Sequence, residues 1–397
     1  MSALQLRSAL TPEERQQKQK LIVRDSLALL SLFAIVVVLF FITLFLFHSF
    51  SVHRQELAQR WRTRGEGALR AGKPIAAIDA LRSALAYSPD DENLQIELAE
   101  ALAAAGRTQE AVAYFNTLLD SRPGSGMINL QLARMASKQG EEAAALEYYQ
   151  TALDGTWEGD GYIRRREVRL ELAQYLIDRK RYDQAKNQLL IAAGNAPDDA
   201  GLEITMAALL EKAQDPGNAL HLYKKAIQHR PVRIDALLGA GRTTYALGRY
   251  LPAKDFLERA LNHPEFEKEP AGLQLQYRDM LSDADHILLL YPGPDRSVRD
   301  RAERILANRN TAQDRLASCL STKNVMPPEL QALNNQWQQI PATLRRLQLE
   351  QDPELEQKIM QLVYQTEEVT SQQCGTPTGN DALLLKIAKA PEAVEQR

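Results

Sequence analysis

Cysteine is scarce. The 397-residue chain has two, which excludes a disulfide-dense mini-domain and any zinc site built from four thiolates. Aromatic residues make up only 6%, while Ala and Leu are abundant and lose little on entering a helix, a composition that favours helices over sheets. An excess of one charge is missing too. The 48 Lys+Arg nearly balance the 51 Asp+Glu, for a formal net charge of −3. A general nucleic-acid binder needs a basic surface to displace counterions, so no nucleic acid is expected as a partner. Catalytic signatures are also lacking. The chain holds no HExxH, no GxxxxGK[ST] and no Cys-x-x-Cys. Its histidines, His48, His53, His221, His229, His263 and His286, show no metal-ligand spacing. Gly239-Ala-Gly241 is a fragment of a nucleotide fingerprint without the third glycine. No metal, cofactor or catalytic residue is expected, and the chain reads as a non-enzyme. What remains is 45% apolar and 25% charged, an ordinary globular balance.

Long apolar runs are absent save one. Residues 26–47 read SLALLSLFAIVVVLFFITLFLF, without a charge. Twenty-two residues in a helix span roughly 33 Å, enough for a hydrocarbon core of about 30 Å. The run is apolar all round, unlike a core helix with a polar face, and longer than the apolar region of a signal peptide. It predicts one uncleaved membrane-spanning helix. Five basic residues precede it (Arg7, Arg15, Lys18, Lys20, Arg24) and five follow (Arg54, Arg60, Arg62, Arg64, Arg70), so the positive-inside rule is tied. A large C-terminal domain can be exported whatever its charge; the tail is therefore placed in the cytoplasm and the main domain outside.

A set of landmarks recurs every 34 residues: Ala, a bulky residue four later, Ala three later, and often Pro five after that. Ala77, Leu81, Ala84 and Pro89 are followed by Ala111, Phe115, Leu118 and Pro123, then by Ala145, Tyr149 and Ala152. An insertion of about six residues near 160–165 delays the next set, Ala185, Leu189, Ala192 and Pro197. Ala219, Tyr223, Ala226 and Pro231 resume the period, and Ala253, Leu257 and Ala260 close it. Upstream of each set lies a second small-and-apolar cluster, such as Leu98, Ala99 and Leu102. Over 58–267 the pattern resembles the tetratricopeptide repeat family, a 34-residue helix–turn–helix unit. The resemblance implies six stacked units in an α-solenoid, with small residues where helices approach and bulky ones between units.

In that family the first helix of each unit lines the groove, and the fifth position of that helix reads Ile96, Leu130, Leu170, Ile204 and Leu238 after an opening Arg62. With the polar neighbours Arg134, Gln174 and Arg242, these residues are the candidate partner-binding surface, suited to a peptide with apolar anchors. The alternative is that the aliphatics pack adjacent units together. The Lys, Arg and Asn set with which one subclass clamps a C-terminal carboxylate is absent. The basic run Arg164–Arg166, with Arg169, falls at the insertion and is read as solvated or internally paired, with a partner phosphate or an anionic lipid as the alternative.

Beyond 268 the period is lost. A capping helix and linker cover 268–293, closed by Tyr291-Pro-Gly-Pro294. Three helices are expected in a C-terminal domain over 294–389: 296–320, a second opened by Pro327-Pro328 and kinked at Pro341, and a third opened by Asp352-Pro353 and closed by Gly375. Cys319 and Cys374 fall near the ends of the first and third. If those helices are parallel the two can bond, closing a loop of about 55 residues worth roughly 4 kcal/mol; two buried free thiols are the alternative.

The fold expected is therefore all-α: a short tail over 1–25, a transmembrane helix over 26–48, six repeats over 58–267, the cap over 268–293, the helical domain over 294–389 and a disordered tail over 390–397. The layout is similar to that of several envelope assembly proteins. It implies a single-pass scaffold of the inner membrane, its soluble part periplasmic, binding protein partners through the groove in envelope assembly or secretion. A self-associating structural component (a homo-oligomer), or a repeat-regulated enzyme active in the C-terminal domain, are the alternatives.

Overall fold

The structure, a computed structural model, describes residues 12–396; the expected N-terminal tail lies partly outside them. Among the described residues there are helices and one isolated bridge, Ser125 to Thr156, but no strand. The chain divides into two compact units, with the boundary at Gly161.

The first unit begins with α1, a single 59-residue helix, Pro12–Arg70. Its apolar part is bare: Phe33, Phe40, Phe45 and Phe47 are all at least 60% exposed. The helix does not stop there. From Ala58, which is buried, it becomes the first helix of the first repeat and packs against α2 (Pro74–Tyr87). The sequence reading left a gap between a span ending at 48 and repeats starting at 58; the two are instead one helix, because no Gly or Pro interrupts 48–64. Arg54 fastens the hairpin by donating from Nε and Nη2 to the Tyr87 carbonyl, at 3.0 and 2.6 Å. The second repeat is α3 (Glu92–Ala104) with α4 (Thr108–Ser121), and the third α5 (Gly126–Gln139) with α6 (Glu142–Asp154). The loop after α6 doubles back on the loop before α5, where Trp157 covers Gly126 and donates to the Ala152 carbonyl at 2.9 Å.

The second unit carries α7 (Gly161–Asp178) with α8 (Tyr182–Gly194), α9 (Ala200–Lys212) with α10 (Pro216–Ala226), and α11 (Ile234–Ala246) with α12 (Tyr250–Leu261). In all six repeats the Ala–bulky–Ala positions are at most 3% exposed. Small residues opposite the bulky ones let the helices close up: a Cβ on Gly239 would lie 2.3 Å from the Tyr223 ring, and one on Gly241 2.8 Å from Leu257. Between the helices of each repeat one residue turns left-handed, at 72, 106, 140, 180, 214 and 248. The next amide then reaches back five residues, as from Lys73 to Ala68 and from Asp215 to Leu210, both at 2.9 Å. This closure satisfies carbonyls that the helix end leaves open.

After α12 come a 3₁₀ turn (Phe266–Lys268), α13 (Ala271–Leu290), α14 (Val298–Ser321), α15 (Pro328–Gln338), α16 (Arg346–Gln351), α17 (Pro353–Cys374) and α18 (Gly379–Lys389). Three expectations are corrected here. Pro341 does not kink a continuous helix; α15 ends before it, and the carbonyls of Pro341 and Ala342 accept from buried Arg309, both at 3.2 Å. Residues 294–389 do not form a separate core. Tyr250, Ala284, Ile287 and Leu288 of α12 and α13 belong to the same apolar cluster as Ile305, Leu316, Trp337, Val363 and Leu384. Nor is 390–396 a disordered tail: Val394 is fully buried, its carbonyl accepts from the Leu251 amide at 3.1 Å, and a 3₁₀ turn covers Pro391–Ala393. The apolar side chain at 394 has a place in the core, which its short, charged surroundings hide. Cys319 and Cys374 are bonded, with Cα atoms 5.7 Å apart. Helices α14 and α17 run parallel, Arg301 meeting Glu356 near their starts and the disulfide joining their ends.

Candidate functional site

The first helix of each repeat presents the residues singled out for partner binding, and packing sorts them. In the first unit Ile96 on α3 is half-buried, Leu130 on α5 is 6% exposed, and Arg134 is half-buried. In the second, Leu170 and Gln174 on α7 and Ile204 on α9 are half-buried, and Leu238 on α11 is 6% exposed. Leu130 and Leu238 are therefore core, not anchors for a ligand. Ala99, Ala133 and Ala207 on the same helices are likewise fully buried. Ile96, Leu170 and Ile204 retain accessible edges.

The polar neighbours are engaged with the protein itself. Gln174 donates to Asp178 at 2.7 Å. Arg242 meets Glu211 through Nε at 3.3 Å and Nη2 at 2.5 Å, and its Nη1 donates to the Tyr277 hydroxyl at 2.9 Å. Glu211 also accepts from Tyr223 at 2.8 Å and from Thr243 at 2.7 Å. Burial works against the Arg242 charge, yet Glu211 and the two tyrosines hold its pKa above the ordinary value. Burial, with Glu211 beside it, pushes the Tyr223 hydroxyl up. Arg242, expected in the groove, thus gives three of its five N–H donors to Glu211 and Tyr277, while its side chain stays 40% exposed.

A rule connects these contacts. Arg62 donates to Glu97 at 2.9 Å, 35 residues on. Glu100 accepts from Gln131, 31 on, and lies close enough to Arg134 to feel its charge. Glu211 pairs with Arg242 at 31 and Arg242 with Tyr277 at 35. In a 34-residue period, 31 and 35 are one helical turn apart on the same face. Within the first unit these side chains stitch α1 to α3 and α3 to α5, and within the second α9 to α11 and α11 to α13. Two of these pairs, Arg62 with Glu97 and Glu211 with Arg242, are visible in the sequence as opposite charges at those separations.

Two further clusters escaped sequence reasoning. Lys386 on α18 donates to Tyr245 at 2.5 Å and pairs with Asp283 on α13, which accepts from Tyr245 at 2.7 Å. Burial raises the Asp283 pKa, but the hydrogen bonds from Lys386 and Tyr245 prevail and lower it. This cluster docks the last helix onto the sixth repeat. Asp198, Glu203 and His229 bring three ligand atoms within 4.8 Å of one another. A cation is already supplied: Lys225 Nζ lies 2.6 Å from the buried Glu203 and 3.2 Å from Asp198. The cluster is complete as an ion-pair network between α9 and α10.

Residues 68–133 match the family model for the tetratricopeptide repeat. Those residues, from the end of α1 into α5, carry the tetratricopeptide repeat. Among solved structures it is similar to PilF of Pseudomonas aeruginosa, with 19% identity over 58% of this chain and 99% of that one and a TM-score of 0.41. PilW, described as a widely conserved type IV pilus biogenesis factor, is 18% identical over 57% and 96%, with a TM-score of 0.40. The TPR2AB domain of yeast Sti1, solved with pHSP90, is 18% identical over 58% and 99%, with a TM-score of 0.25. No curated protein matches the chain. The repeats make it a helical scaffold of the protein-binding kind.

Proposed function

We propose that this scaffold is held in a membrane by α1 and presents its repeats to protein partners on the exported side, acting by binding rather than catalysis. The observation that carries this is the bare apolar stretch of α1. It is the one segment among the described residues long and apolar enough to cross a membrane, and none of that window is packed inside the protein. Exposed on a soluble molecule, such a surface would drive aggregation; in a bilayer it is satisfied. The Cys319–Cys374 bond favours an oxidising compartment, because cytosolic thiols are kept reduced. The half-buried Ile96, Leu170 and Ile204 offer apolar edges to a partner, and confinement beside the membrane raises its effective concentration.

Two measurements test the reading. Membranes washed with alkaline carbonate should retain the protein; release into the wash would end the anchor. A cysteine placed at exposed Gln109 should react with an impermeant maleimide in cells whose outer envelope alone is opened, while Cys319 and Cys374 stay unlabelled. Labelling of all three only after lysis of the inner membrane would put the repeats in the cytosol.

A further inference from the structure

A cavity of about 370 Å³ opens where α1 leaves its apolar stretch. Phe47, Phe50 and Arg54 of α1 form one wall, and the loop from Tyr87 to Asp91 forms the other. Phe47 and Phe50 are 73% and 64% exposed, and the Arg54 guanidinium lies 6.0 Å from the Phe50 ring centre.

We propose that this cavity binds the headgroup of an aminophospholipid, a phosphodiester carrying a primary ammonium. The inference rests on the reading of α1 as a membrane span. Depth is the first support. Phe47 ends the apolar run, so it marks the hydrocarbon edge. Arg54 is seven residues on, roughly 10 Å higher along the helix. The headgroup layer on each side is on the order of 5–8 Å thick. The cavity therefore spans that layer, with apolar rings at its foot and charge at its rim.

Charge selects the headgroup. The rim carries Asp90 and Asp91 against one guanidinium, and that guanidinium already gives two donors to the Tyr87 carbonyl. Asp91 uses one oxygen to cap α3, accepting from Leu94 at 3.2 Å. Asp90 is exposed and outside every ion pair described. A headgroup with only negative charge would meet a net negative rim. An ammonium would meet the carboxylates, while its phosphate faces the arginine.

The test uses the full chain in nanodiscs of mixed phosphatidylethanolamine and phosphatidylglycerol, released into detergent for native mass spectrometry. The wild type should retain phosphatidylethanolamine over phosphatidylglycerol by roughly tenfold, the worth of one charge-assisted contact. Asp90→Lys, at an exposed position outside the repeat core, should abolish or reverse that preference with helicity unchanged. Equal retention of the two lipids, or a preference that survives Asp90→Lys, overturns the proposal. So does a co-purifying peptide that displaces the lipid, because the occupant would then be a partner protein. Release by alkaline carbonate would instead strike the anchor itself, so the two failures are distinct.

Discussion

Two of the six left-handed turn positions are not glycine. Lys180 and Gln214 hold φ near +60°, where glycines stand in the other four repeats. An L-residue there costs roughly 1–2 kcal/mol, and glycine gives part of that back as chain entropy. Gln214→Gly should therefore raise stability by about 0.5–1 kcal/mol, read as an upward shift in the denaturant midpoint at constant slope. Unchanged or reduced stability would show that the Gln214 side chain contributes more than its backbone strain. Glu367, fully buried on α17, is the second residue of note. Burial first, and Asp381 second, push its carboxyl up to about 8, with Arg315 opposing. In the unfolded chain it titrates near about 4.3. Between those values the folded state holds the extra proton, so the stabilisation is full below about pH 4 and is lost as pH rises through about 8. Thermal unfolding followed from pH 5 to pH 8 should show a falling midpoint. Glu367→Gln should flatten that slope and raise the midpoint at pH 8; an unaltered slope would assign it to other groups.

At the scale of elements, paired helices explain both what the sequence made legible and what it concealed. The phase of the repeats was readable because each landmark does one steric job: Ala77 or Ala253 admits a neighbour, and Leu81 or Tyr223 fills the space. The stitching between first helices was not read, since Arg62 and Glu97, or Glu211 and Arg242, look like separate surface charges until the helices are placed side by side. The groove stripe failed at Leu130 and Leu238 for the same reason: a position on the inner face is accessible only if the next helix stands away. Helix α18 went unread because Leu383, Leu384 and Ile387 make a short apolar face that means little without α13 and α17 beside it. Arg242→Ala separates the two roles of its helix. Removing the guanidinium leaves Glu211 without its ion-pair partner, and because both groups keep some solvent contact the loss should be about 1–3 kcal/mol. Partner capture lost at unchanged stability would assign Arg242 to the groove.

For the whole molecule, the shared apolar cluster decides what can fold alone. The helices after 294 take part of their core from α12 and α13, and residues 390–396 return to the sixth repeat. A fragment of 294–389 should therefore be largely unfolded by circular dichroism and poorly dispersed by NMR, whereas 162–397 should fold cooperatively. A well-folded 294–389 would reinstate an independent C-terminal domain. Reduction of the Cys319–Cys374 bond in 162–397 should lower stability by about 2–4 kcal/mol without removing the helices, since the link shortens a long loop in the unfolded chain.

The unbroken helix α1 has a mechanical consequence. Twenty-three residues separate Phe47 from Arg70 without a break, a rod of roughly 35 Å. Spans lean by about 20° on average, and more when the bilayer is thin. A lean of that size carries the far end of the rod sideways by roughly 12 Å. Under the proposed anchoring of α1, membrane thickness becomes a positional input: the same lever that fastens the first repeat also steers it.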